Sequence, residues 1–362
     1  MRRWTRPGFA AGPVVPTIGV EEELLLLDPQ TGENMPVADR VRAGLPHPVR
    51  EHSRAESRRS MIEMVSPVCT RLPELSYHLH RHRRIAALAA RDSGARLTAI
   101  GATPLRAPGP HVPTGQRDGL CGLHVHVGVP DRELAVQVCA HLRVWLPLLQ
   151  AMSANSPIFD GVDTGHASWR SVQIQRWPSL GPTPVFGSAA EYDEAVHALR
   201  DSGVLVGDAK VHWYARVSER CPTVEIRVGD VCATARDTVL ITALLRALVA
   251  TAIDDVRDGI PAPDVPECTV TAAHWRAARD GLDAELFDLR VGHSRPAGHL
   301  VGDLLATASP ALIRHGDLPS VIAALSLLRR VGTGAARQRR VLQATGDLRH
   351  VLNMVARLTV MG

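Results

Sequence analysis

The sequence predicts an α+β chain in which one sheet carries polar pairs on one face and apolar residues on the other. Three observations lead there. Short runs of alternating character recur up to residue 230. Three of them place ligand-type side chains at i and i+2: Glu21/Glu23, His124/His126 and Glu225/Arg227. Longer 3.6-residue patterns lie between these runs and dominate after 271. One such pair is noise, but three of the same layout imply a common charged concave face, with helices on the apolar one. The sheet is expected within 1–257 and a mostly helical part within 258–362, together one domain.

GVEEELLLLDP (19–29) reads as the first strand. Glu21 and Glu23 share a face, and Leu24 to Leu27 are apolar on both, as in a strand inside a larger sheet. Glu22 falls on the face of Val20 and Leu24, which suits a frayed or partly wet strand. Two like charges side by side are unfavourable unless something positive lies between them. A divalent cation is the simplest compensation, and a solvated strand end is the alternative. The charge-dense segment 49–63 leads into SMIEMVSPV, a strand stopped by Pro67. Its lone acid, Glu63, is either a wet edge residue or a buried ligand.

Residues 71–93 carry a helical stripe of Leu72, Leu75, Leu79, Ile85, Leu88 and Ala89. His78, His80 and His82 do not share one helix face at spacing two, so they and the nearby arginines are assigned to a solvated face. Residues 95–104 give a short strand and turn. GLHVHVGVP (122–130) sets His124 and His126 on one face between two glycines that permit close approach. An amphipathic helix with Asp131 as N-cap is expected over 131–153. The polar loop 153–170 follows and ends in Arg170. After a helix near 189–202, residues 211–219 and 222–230 form a hairpin. Thr234 to Val256 is a long helix, 258–268 a proline-broken linker, and the rest helical with breaks near 291–298, 315–319 and 332–334. Arg337, Arg339 and Arg340 read as a solvated face.

Composition narrows the class. The chain has 362 residues, 45% of them hydrophobic and only 4% aromatic, so its core rests on Leu, Val, Ala and Ile. A net charge of +4, almost all arginine, does not call for nucleic acid. Lys210 is the sole lysine and has no preceding glycine loop, which removes a Walker A motif. GTGAAR (332–337) lacks the last glycine of a dinucleotide fingerprint. Six scattered cysteines form neither a zinc knuckle nor a disulfide framework and fit a reducing cytoplasm. The proline-broken N-terminus is too weakly apolar for a signal peptide, and no apolar run is long enough for a membrane span.

GVEEELLLLDP, SMIEMVSPVC, GLHVHVGVP, ANSPIFDGVDTGHASWR and PTVEIRVGD resemble, in order, motifs of the glutamate–cysteine ligase type 2 family, the bacterial carboxylate–amine ligases. The likeness continues through HWRAARDGLDAEL and GTGAARQR. It implies a glutamine synthetase/guanido kinase-like fold, a curved, mostly antiparallel sheet forming a funnel with helices on the outer face. It implies ATP-dependent joining of a small carboxylic acid to an amine through an acyl phosphate, with Mg²⁺ or Mn²⁺. Matched motif by motif, Glu21, Glu23, Glu56, Glu63, His124 and Glu225 would hold metal. Glu21, Glu23, His126 and Arg227 would serve the nucleotide, and His126 the substrate as well. Arg227 and Arg216 would stabilise charge in the reaction, and Arg170 and Arg216 would grip substrate carboxylate or phosphate. Relatives often read WDxRPS where this chain has WYARVS (213–218), so Tyr214 and Val217 replace an acid and a proline. That departure leaves open a specialised ligase using an acid other than glutamate, or an inactive Mg-ATP-binding homologue. A metal-dependent hydrolase is a third class, and it lacks a zinc triad. A homo-oligomer remains open.

Overall fold

Strand β1 (Ile18–Leu27) runs through the middle of the sheet, and its burial alternates as far as Glu23 before becoming continuous. The computed structural model describes residues 15–56, 58–105, 119–175, 179–205 and 210–361. After β1 come α1 (Ala38–Gly44), the single turn α2 (His47–Arg50), β2 (Ser53–Ala55), β3 (Met61–Val65), α3 (Leu72–Asp92), β4 (Arg96–Thr98) and β5 (Gly122–Gly128). The middle of the chain holds α4 (Arg132–Leu142), α5 (Leu146–Ser153), β6 (Ile158–Phe159), β7 (Val162–Asp163), α6 (Trp169–Ile174), β8 (Leu180–Gly181) and α7 (Ala189–Asp201). Then follow β9 (His212–Trp213), β10 (Ala215–Val217), β11 (Thr223–Asp230) and α8 (Ala235–Arg257). The last part is α9 (Glu267–Asp280), β12 (Glu285–Asp288), β13 (His293–Pro296), α10 (Ala297–His315), α11 (Leu318–Val331), α12 (Gly334–Thr345) and α13 (Leu348–Val360).

The main sheet has the order β10-β11-β5-β1-β3-β2, with β4 extending the β5 edge of β1, and every pairing is antiparallel. The α+β expectation therefore holds. Ile18, Val20, Val125, Val127, Val224 and Ile226 project from one face into a core completed by α4, α5, α8 and α10. Leu24 to Leu27 belong to a second core with β3, β4, α3 and α13. β1 thus passes from one core to the other, and its two outward carboxylates stand at the passage.

Several expectations are corrected. The helix expected over 131–153 is two helices bent by 72°. Pro147, in the first turn of α5, lacks an amide proton and its ring would meet the carbonyl four residues back. Asp131 does cap α4, accepting from Leu134 N at 2.8 Å. On α3 the polar stripe is not all wet. His82 is buried, and Arg83 is fully buried because it is the counter-ion of Glu22, which is itself buried and not frayed. Residues 285–296 form a hairpin inside a part expected to be helical. It is tied by Arg290 and Arg295, which both bridge Asp288 and Asp303 at 2.7–2.8 Å. Arg337 and Arg339 are not a solvated face, being paired with Asp237 and Asp163.

Candidate active site

Strand register builds the centre. Glu21 stands opposite His124 on β5, and Glu23 opposite Glu63 on β3. β11 sets Glu225 opposite His126, and β10 sets Arg216 opposite Glu225. The structure therefore brings Glu21, Glu23, Glu63, His124, His126, Glu225 and Arg227 to one face, opposite the apolar core. Glu56, directly after β2, hydrogen-bonds Glu63 and so joins them.

The contacts are dense. His124 Nδ1 lies 3.2 Å from Glu21 Oε2 and 3.1 Å from Arg227 Nη1. One nitrogen cannot donate to the carboxylate and accept from the guanidinium at once. His126 Nε2 is 3.5 Å from Glu21 Oε1, and its Nδ1 is 3.0 Å from Thr223 Oγ1. Glu23 Oε2 accepts from Gly122 N at 2.5 Å. Glu225 receives Arg216 on both oxygens, at 3.0 and 3.1 Å, and also Arg227.

Electrostatics splits the carboxyls. Burial acts to raise Glu21, but hydrogen bonds and charge from His124 and His126 overcome it and hold the group well below the usual carboxylate range. Burial likewise opposes ionisation of Glu225, and the charges of Arg227 and Arg216 win. Glu63 goes the other way. Burial, the Glu21 charge and Glu56 push it up to about 10. His124 is lowered by burial and by Arg227.

These groups fit a cation. One ligand atom each from Glu21, His124 and Glu225 lie within 4.8 Å of one another. A cation would resolve the conflict at His124 Nδ1 and draw the proton from Glu63. At Glu225 it would compete with Arg227. Oxygen-rich donors with one imidazole suit Mg²⁺ or Mn²⁺.

Of the remaining arginines, one differs from expectation. Arg216 is buried and committed to Glu225 and to the carbonyl of Val211, so it holds a site carboxylate and does not offer a grip for substrate. Arg170 is buried with bonds of 3.4 Å to the carbonyls of Val228 and Arg227, and its Nε has no partner among the described residues. A Cβ on Gly122 would fall 2.5 Å from Arg170 Nη2 and 3.1 Å from His124 Nε2. The glycine is what lets the guanidinium reach this face. Tyr214 is not among the carboxylates. It packs against His274 in a tilted arrangement with centroids 4.5 Å apart and bonds Gln175, near Arg170.

Sequence reasoning missed three contributors. Thr223 fixes one nitrogen of His126. His212 is lowered to about 4 by burial and by Arg227 and Arg216, so it belongs to the same electrostatic cluster. Parity was the available signal for both: Thr223 shares its strand face with Glu225 and Arg227, and His212 is in step with Arg216. Asp230 organises the segment carrying Arg170, and a carboxylate ending a strand gives no sign of that.

Comparisons with known proteins bear on this geometry. Residues 17–354 match the profile of glutamate–cysteine ligase family 2. The chain is 56% identical over 358 residues to a Salinispora tropica protein provisionally named glutamate–cysteine ligase 2, covering 95% of each chain. The chain belongs to glutamate–cysteine ligase family 2. It is thereby an enzyme of the ligase class that forms carbon–nitrogen bonds. A Mycolicibacterium vanbaalenii protein of this family, also provisionally named, is 42% identical over 361 residues, covering 96% of this chain and 98% of that one. Two solved structures share the fold. Glutamate–cysteine ligase of Francisella tularensis, in complex with AMP, superposes with TM-score 0.64 at 12% identity, over 96% of this chain and 90% of that one. A bifunctional glutathione synthetase of Pasteurella multocida gives 0.65 at 15% identity, over 95% of this chain but 52% of that longer one. The fold is thus the α+β fold of these ligases. Among the described residues no single helix is long and apolar enough to cross a membrane.

Proposed function

We propose that the chain is an ATP-dependent ligase that activates a small carboxylic acid as an acyl phosphate and transfers it to an amine. The observation that carries this reading is the convergence of Glu21, Glu63, His124 and Glu225 with Arg227 on one face. Glu21, Glu23, Glu56, Glu63, His124 and Glu225 would hold Mg²⁺ or Mn²⁺, which when bound neutralises nucleotide phosphate charge and the acids' mutual repulsion. AMP in the Francisella relative supports an adenine nucleotide here.

The chain's own residues do the rest. Attack of a carboxylate oxygen on a terminal phosphoryl group brings two anions together. Arg227 lies on Glu225 and beside His124, placed to stabilise charge spreading over the phosphoryl oxygens. Arg216 keeps Glu225 ionised and oriented. His126, steadied by Thr223, lines the same face. Arg170 has unused donors and is our assignment for the carboxylate that does not react. Tyr214 next to Arg170 supports an acid pocket altered from that of relatives, with glutamate or another small carboxylic acid as its substrate, while the carboxylate face is intact.

A phosphate-release screen of acids crossed with amines, with product masses determined, tests this. ADP and phosphate release that needs both partners, with an amide product, is expected. Mg-ATP binding by calorimetry with no turnover across a broad panel would point to an inactive homologue. Turnover without nucleotide would point to a hydrolase.

A further inference from the structure

Asp230, the last residue of β11, is fully buried, and its hydrogen-bond donors among the described residues are all neutral. Its Oδ2 accepts from Asn155 N at 2.8 Å and Ser156 Oγ at 2.7 Å, and its Oδ1 from Ser168 Oγ at 2.7 Å. Ser156 Oγ in turn accepts from Arg170 N at 3.1 Å, and Ser168 is the N-cap of α6, the helix that carries Arg170. One carboxylate therefore fixes both approaches to that arginine. The Arg170 guanidinium itself stays 4.0 Å from Asp230 Oδ1. Asp230 supplies counter-charge without taking the arginine's donors, because three neutral donors hold its oxygens in place and 4.0 Å is too long for a hydrogen bond. The result is a buried cation, compensated in charge and short of hydrogen bonds, facing the site beside Gly122.

The chain of contacts continues outward. Asn155 Nδ2 donates to the carbonyls of Ala99 and Val231 at 2.9 and 2.8 Å. Asn155 Oδ1 accepts from Gln338 Nε2 of α12 at 2.8 Å, and Gln338 Nε2 also donates to the Asn155 carbonyl at 3.0 Å. A Cβ on Gly334, at the start of α12, would lie 2.0 Å from Asn155 Oδ1. The GTGAARQR stretch is thus seated directly on the segment that orients Arg170.

We propose that Asp230, Asn155 and Gln338 are positioning residues that set Arg170 for the acid substrate's free carboxylate, so that α12 governs acid affinity without touching substrate. This rests on the ligase reading and on Arg170 as its carboxylate anchor. The effect is directional. Loosening Gln338 lets the 154–170 segment shift, which misplaces the Arg170 fork but leaves the carboxylates of β1, β3 and β11 in place.

The test uses the full chain with Gln338→Ala, Arg170→Ala and the double variant, each checked for an unchanged far-ultraviolet spectrum. The readouts are calorimetric binding of L-glutamate and glutarate in the presence of Mg-ADP, and the KM and kcat of whichever acid turns over. Gln338→Ala should weaken acid binding about tenfold, the scale of one misplaced hydrogen bond to a charged group, with Mg-ADP binding and kcat nearly unchanged. In the Arg170→Ala background the same change should be silent. Gln338→Asn should recover less than half of the loss, since its shorter arm does not reach Asn155. The proposal is overturned if Gln338→Ala leaves acid binding intact, weakens nucleotide and acid equally, or adds in full to Arg170→Ala. It is also overturned if wild type and Arg170→Ala bind the probe acids alike. The ligase reading fails separately, when no acid and amine pair gives an amide.

Discussion

Arg83 donates to both carboxylate oxygens of Glu22, from 2.8 and 2.6 Å, and neither side chain is more than 1% exposed. Thr238 Oγ1 adds a 2.6 Å bond to Glu22, and Arg83 also reaches the carbonyls of Cys232 and Thr359. This pair lies on the reverse of β1 from Glu21 and Glu23, so it pins the strand that presents them. Removing one partner leaves a buried, uncompensated charge. Arg83→Met should lower unfolding stability by about 3–5 kcal/mol. Urea denaturation measures this, and Glu22→Leu combined with Arg83→Met should recover part of the loss. A loss below about 1 kcal/mol would show that the pair does not hold β1.

Glu23→Ala and Glu225→Ala should each reduce acid- and amine-dependent ADP release at least about a hundredfold, because each removes a carboxylate that would hold the cation neutralising the nucleotide's phosphates. Steady-state assays at saturating ATP decide it. Full activity in both variants would remove them from the metal set.

Metal binding should displace a proton. The Glu63 carboxyl is raised to about 10, against 4.5 for the free group. Between those values the folded chain holds a proton that the unfolded chain has lost. Metal-free stability from this group is therefore full below the window and falls as pH rises through it. Mg²⁺ needs the ionised carboxylate, so its affinity should climb from about pH 6 to 9 with net proton release. Calorimetry in two buffers of different ionisation enthalpy reads the release directly. Affinity that stays flat with pH, in the wild type and Glu63→Gln alike, would separate Glu63 from the metal.

Gly122→Ala places a methyl group against the Arg170 guanidinium and the His124 ring. Acid affinity should fall by about tenfold or more while the melting temperature moves by only a few degrees. An unchanged KM for the acid would mean that Arg170 has room to retreat.

Much of this centre was legible in advance. Period-2 alternation fixes which side chains share a face, so Glu21/Glu23, His124/His126 and Glu225/Arg227 could be paired from spacing alone. Antiparallel register then sets those pairs side by side. What spacing does not carry is who lies behind the strand. Glu22 looked misplaced because its partner Arg83 is 61 residues away and on a helix whose stripe looked polar. Arg216 looked free because its neighbour Glu225 was assigned to metal, not to arginine. The bend between α4 and α5 is signalled by Pro147 but masked by apolar periodicity that continues across it. The β12–β13 hairpin has four-residue strands with no alternation, and ion pairs rather than pattern define it.

β1 is sealed from beneath by α13, whose Val351, Leu352 and Val355 lie in the same core as Leu24 to Leu27. The Thr359 hydroxyl accepts from Ala99 N, and its carbonyl accepts from Arg83. A ribosome makes that strand early and that helix hundreds of residues afterwards. The nascent polypeptide therefore carries the acidic side chains of β1 long before the floor beneath them exists, and the strand is sealed only once α13 has been made.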